Sequence, residues 1–128
     1  QPVPPKPPRG TNAYFPMPPS GSIAWVSAYV AASKKEVGVY LLLSASHPPF
    51  KDIYETWGAD RADIEAELEL PTSWETTEKS YMVIVRRKYV DISEPVERAS
   101  LIAFLSDVTN KFVNTFRPRL LEVSRSSG

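Results

Sequence analysis

The sequence predicts an α+β domain: an antiparallel sheet of about four to five strands with two amphipathic helices mainly on one face, in the order ββαββα. Three observations carry this. Runs rich in Val, Tyr, Trp and Leu occur in two pairs, within 23–46 and 72–90. Each pair is followed by a stretch whose apolar residues recur at helical spacing. No internal repeat at a solenoid period interrupts that order.

Residues 1–22 hold eight of the thirteen prolines. "PVPPKPPRG" reads as extended polyproline II without a core of its own, so 1–22 is a linker or arm, 23–123 the domain and 124–128 a frayed tail. Pro4, Pro7 and Arg9 also match a P-x-x-P-x-R pattern of the kind bound by some aromatic grooves. A short extra strand is expected near Tyr14 and Phe15.

"IAWVSAYVAAS" and "VGVYLLLSAS" form a hairpin across "SKKE". Val37, Val39, Leu41 and Leu43 line one face of the second strand, Tyr40 and Leu42 the other. With both faces apolar, that strand should be central and covered on both sides for part of its length. Pro48 and Pro49 suit a helix start, because the first turn needs no amide donors. The helix should run from Pro49 to Glu69, with Phe50, Ile53, Trp57, Ile64 and Leu68 as its buried stripe, a kink at Gly58 and Ala59, and a stop at Pro71. "TSWE" and "SYMVIVRRKYV" make the second strand pair. Ser93 or Glu94 caps the last helix, with Pro95 in its first turn. Leu101, Ile102, Leu105, Val108, Thr109, Phe112, Val113, Phe116 and Leu120 make its stripe, and Pro118 should kink or break it.

Composition narrows the chemistry. The absence of cysteine excludes thiol nucleophiles and thiolate metal sites, and fits a cytoplasmic protein. One histidine, His47, is too few for a zinc site built on several. No apolar run approaches the ~18 residues of a membrane span, and the proline-rich start lacks a signal-peptide core. The first residue is Gln1 rather than Met, as expected of a piece of a longer polypeptide. Net charge is zero, but 50–70 carries −5. In that segment Asp60, Asp63 and Glu67 share one flank of the helix and Glu65 and Glu69 the other, which is the pattern of a wet helix face. Asp60, Asp63 and Glu67 are also the candidate ligands for a hard cation such as Mg²⁺. Arg61 can pair with Glu65 four residues on.

No phosphate-cradling glycine motif, nucleophile elbow or acid-x-Lys nuclease pair is present. His47 beside Ser44 or Ser46 is the one acid–base arrangement to weigh. The candidate nucleic-acid contacts are Lys34 and Lys35 on the hairpin turn, Arg86, Arg87 and Lys88 at a strand end, and Arg117 and Arg119 following the last helix, with Tyr81 and Tyr89 placed to stack. Strand alternation sends Arg86 and Lys88 to one face and Arg87 to the other.

At Phe50, Ile64, Glu65, Trp74, Glu75, Ile84, Phe112, Phe116, Arg119 and Leu120 the chain resembles an uncharacterised bacterial domain usually found C-terminal in predicted restriction-endonuclease-like proteins. The resemblance spans roughly 23–122, departs from the pattern where a glycine is expected near Glu69, and rests mostly on core positions. It implies an accessory module beside a nuclease domain of the same protein, with no activity or cofactor of its own. The expected function is therefore a non-catalytic domain that binds a partner or helps place nucleic acid. The alternatives are a protein–protein interaction module, including a homodimer, and a small enzyme. Salt dependence separates the nucleic-acid version from the others.

Overall fold

The computed structural model describes residues 13–127, with side chains for 14–122. The P-x-x-P-x-R pattern at Pro4, Pro7 and Arg9 lies outside them. Strands β1 (Ala13–Pro16), β2 (Ala24–Ala31), β3 (Glu36–Ser44), β4 (Ser73–Thr76) and β5 (Ser80–Lys88) form one antiparallel sheet in the order β1-β2-β3-β5-β4. The helices are α1 (Pro49–Ala59), α2 (Arg61–Leu68) and α3 (Pro95–Ser127). The α+β class and the antiparallel sheet are as the sequence predicts. The order differs from ββαββα in detail: the first helix is divided in two, and the short strand expected near Tyr14 and Phe15 precedes the rest as β1.

That division falls at Asp60, whose φ of −99° and ψ of 17° leave the helical region. Its N–H still reaches the Trp57 carbonyl, while its own carbonyl accepts from Ile64, so one residue closes α1 and opens α2. Gly58 weakens the last turn of α1, and a short acidic side chain favours a helix start over a helix interior. At the far end Glu69 adopts φ 62°, a left-handed C-terminal position that glycine usually takes, and returns its N–H to Glu65.

Register sorts the strands into two faces. Val26 pairs with Leu41, Val39 with Val85 and Leu41 with Val83, and these point inward under the helices. Phe50, Ile53, Trp57, Ile64 and Leu68 cover them from α1 and α2, and Val108, Phe112, Phe116 and Leu120 from α3. Phe112 and Phe116 are 0% exposed and pack 5.6 Å apart, with Trp57 5.1 Å from Phe116. Each such ring contributes on the order of 2–3 kcal/mol by leaving water.

β3 is the middle strand, and although the helices pack on one face only, Glu36 and Gly38 on the other face are buried as Val37 and Val39 are, so the strand is covered on both sides for part of its length as expected. The boundary at 22/23 falls inside the folded unit, because β1 pairs with β2 and Met17 is buried in the core. Ile102 leaves the predicted stripe and is 59% exposed, since it lies a full 100° around the helix from buried Leu101. Neither Pro118 nor the expected frayed tail ends α3, which continues to Ser127. Pro118 is exposed, and the Arg119 guanidinium donates to the Thr115 carbonyl at 2.7 Å beside it. Glu94 caps the helix: its carboxylate accepts the Glu97 N–H at 2.9 Å, while Glu97 reaches back to the N–H groups of Val90 and Asp91.

A Cβ added at exposed Gly58 meets no atom within 4 Å. Gly58→Ala should therefore raise the unfolding free energy by about 0.5–1 kcal/mol in urea denaturation, and an unchanged midpoint would show that the α1–α2 bend needs glycine.

Candidate functional site

Alternation along the strands builds the outer face of the sheet. One cross-strand row reads Tyr14, Ser27, Tyr40, Ile84 and Ser73; the next reads Pro16, Trp25, Leu42, Met82 and Glu75. On the other side of the first row lie Tyr29, Gly38 and Arg86, then Ala31, Glu36 and Lys88. Four aromatic rings thus share a surface that none of the three helices covers. Tyr14 and Trp25 sit 5.7 Å apart, and Tyr29 and Tyr40 6.1 Å apart.

Gly38 sets the position of one ring. A Cβ there would fall 2.5 Å from the Tyr29 ring, so glycine lets Tyr29 lie across the strand. The Tyr29 hydroxyl then donates to Glu36 Oε2 at 2.7 Å. Burial and that carboxylate push the phenol up to about 12. In return the hydroxyl holds the Glu36 carboxyl below the usual carboxylate range, helped by Lys88 and Arg86. Arg86 bridges Glu36 at 3.5 Å and Glu75 at 2.7 Å, and Lys88 reaches Glu36 at 3.5 Å. The charges on this face, Glu36, Glu75, Arg86 and Lys88, cancel.

The structure does not gather the predicted nucleic-acid contacts into one surface. Arg86 and Lys88 are paired on the outer face. Arg87 turns inward, donates to Ser100 at 3.0 Å and lies 5.4 Å from the Phe104 ring. Arg119 makes a two-pronged bond to Glu67, at 2.9 and 2.6 Å, and Arg117 donates to the Pro16 carbonyl. Lys34 and Lys35 are exposed on the β2–β3 connection, a 3-10 turn closed by Lys35 at φ 49°. Neither expected stacking ring is free: Tyr81 stacks on Tyr54 at 5.2 Å, and Tyr89 is buried with Val37 and Leu101.

The acids of α2 are exposed, Glu65 in part, and several of them are engaged by neighbouring elements. Among the described residues no group of three metal-ligating side chains could hold an ion, and Asp60, Asp63 and Glu67 do not form one. Both Glu67 oxygens are engaged by Arg119, in the wall of a shallow groove of about 600 Å³ between α1, α2 and α3. Glu69 binds Lys111 at 2.7 Å. Glu65 Oε2 accepts from the Thr72 hydroxyl at 2.7 Å and the Thr72 N–H at 2.8 Å, and pairs with Arg61 at 3.3 Å as the spacing suggested. Arg61 also donates to the Thr72 carbonyl, and Trp74 Nε1 to the Thr72 hydroxyl. The row is exposed as expected, and Glu65, Glu67 and Glu69 in addition tie α2 to α3 and to the turn into β4, which spacing within a helix cannot reveal. His47 meets the Phe50 ring edge-on at 4.6 Å, while the Ser44 and Ser46 hydroxyls bond each other, so no acid–base pair forms there.

The Thr72 hydroxyl and N–H hold Glu65, and Arg119 holds Glu67, below the ordinary value of 4.5. A lowered folded value means that the unfolded chain takes up protons first, so this stabilisation is present above about pH 4.5 and disappears as acid protonates the folded carboxyls. Glu67→Gln should lower stability at neutral pH by up to about 1 kcal/mol and narrow the difference between pH 7 and pH 3 in thermal melts. An unchanged pH profile would show that the Arg119 contact is idle. Gly38→Ala should lower stability by about 1–3 kcal/mol in the same melts, by displacing Tyr29 from Glu36; wild-type stability would show that the ring position is not fixed by the glycine.

No family model, curated protein or solved structure matches this chain.

Proposed function

We propose that this chain is a non-catalytic accessory domain that holds another polypeptide, and that the outer face of its sheet is the surface it uses. One observation carries the reading: Tyr14, Trp25, Tyr29, Tyr40, Leu42 and Met82 share a face left open by the helices, with its charges balanced. These side chains are each half-buried, and aromatic rings on rigid strands supply contact area at low entropic cost. The setting we favour is the one the sequence resemblance implies, a cytoplasmic bacterial protein of restriction or defence type whose nuclease domain lies elsewhere in the same polypeptide.

Nucleic-acid placement is the second reading, supported by exposed Lys34 and Lys35. Two adjacent lysines neutralise few phosphates, and five of the seven candidate cations are engaged within the chain.

A photo-crosslinking amino acid at position 40, in the protein expressed in its own cells, tests the choice. The expected product is a covalent adduct with a polypeptide, identified by mass spectrometry and absent when the crosslinker replaces Asp52 on exposed α1. Equal capture at both positions would sink the reading. So would low-salt binding to single-stranded or duplex DNA whose salt slope falls in Arg86→Ala.

A further inference from the structure

We infer that the polypeptide held on the outer face is a second copy of this chain, packed sheet against sheet about a two-fold axis. The inference rests on the proposed use of that face and names its occupant.

Strand register supplies the fit. The row Tyr14, Ser27, Tyr40, Ile84 and Ser73 runs across the middle of the face. Turning one copy over about an axis along that row lays Trp25, Leu42, Met82 and Glu75 on the row of Tyr29, Gly38 and Arg86 in the second copy. Trp25 and Leu42 then come onto the Tyr29 ring of the second copy, which lies across Gly38. Met82 comes over the stem of Arg86, and Glu75 lies one strand, ~4.8 Å, to the side of that guanidinium. The two-fold repeats each contact. Tyr40 and Ile84 sit on the axis and meet their own counterparts.

Charge and area favour a second copy. The face carries Glu36 and Glu75 against Arg86 and Lys88, so two like faces meet without net repulsion and with both signs to pair across the interface. The whole chain is also neutral, which favours self-association over dispersal. Five strands, the longest of nine residues, give a footprint of about 550 Å² at ~4.8 Å per strand and ~3.3 Å per residue. Two copies together bury about 1,100 Å², just above the ~1,000 Å² that a specific interface needs. The helices all lie behind the sheet and leave the approach clear. Packing against another sheet, with strands within about 30° of alignment, is the ordinary cover for such a face.

Sedimentation equilibrium on the full chain tests this, with circular dichroism to confirm that each variant folds. Wild type should show a monomer–dimer equilibrium. Tyr40→Lys sets like charges against each other on the axis and should weaken the dimer about tenfold or more. Glu75→Arg and Arg86→Glu should each weaken it too, because each leaves the face with charge of one sign. An equimolar mixture of those two variants should recover the dimer as a heterodimer, a result that the contact between Glu75 and Arg86 within one chain cannot produce. A chain monomeric at every concentration up to ~1 mM would overturn the inference. So would a dimer indifferent to Tyr40→Lys, or a mixture no more associated than its components. If these fail while position 40 still crosslinks a different polypeptide, the proposed function stands with an unlike partner. Equal crosslinking at positions 40 and 52 would instead remove the proposed use of the face itself.

Discussion

Phe112 and Phe116 of α3 meet Trp57 of α1 over the inner face of the sheet, and the remaining architecture depends on that three-ring contact. It ties the last helix to the first across the most buried part of the molecule. The strands beneath contribute Val26, Leu41 and Val83, which are almost fully excluded from water. Most of the apolar stripe that the helices carry is used on this inner face. A single layer of helices covers one face of a sheet, so the opposite face, though built from the same strands, is left to Trp25, Tyr29, Tyr40, Leu42 and Met82.

Charge follows the same division. On the helical side Arg119 and Lys111 of α3 hold Glu67 and Glu69 of α2, and Glu65 holds the turn into β4 through Thr72. These pairs are partly exposed, so each adds little to stability. Their larger effect is on register, since they fix where α2 lies along α3. On the sheet side Arg86 sits between Glu36 and Glu75, and the Tyr29 hydroxyl completes the set. A charge-balanced rim beside aromatic rings attracts phosphate weakly and tolerates an apolar polypeptide well. Electrostatics and ring positions therefore both support the proposed polypeptide partner.

Much of this was legible in the residues. Alternation in "VGVYLLLS" identifies a central strand, helical spacing places Phe112, Phe116 and Leu120 in the core, and Pro49 and Glu94 mark helix starts where the structure has them. What was not legible is long-range. Two apolar faces on β3 indicate cover on both sides, which the first half of the strand has, but a sequence states which side chains are greasy and not that the helices form a layer on one face only. The acids of α2 are exposed as their spacing suggests, but the partners of Glu67 and Glu69, Arg119 and Lys111, lie more than forty residues away and leave no local signal. The break at Asp60 was displaced from the kink expected at Gly58 and Ala59 by one residue, within the ordinary uncertainty of a helix boundary. Tyr29, central to the outer face, carried a usable signal: Gly38 in the middle of a strand calls for a reason, and a ring lying over it is one.

The location of that ring also bears on why strands rather than loops would carry the binding surface. Tyr29 is fixed at three points: its own strand, the glycine beneath it and the Glu36 carboxylate at its tip. Glu36 is in turn fixed by Arg86 and Lys88 from β5. A ring held in this way has little rotamer freedom left to lose when a ligand arrives, so the ordering cost falls on the ligand alone.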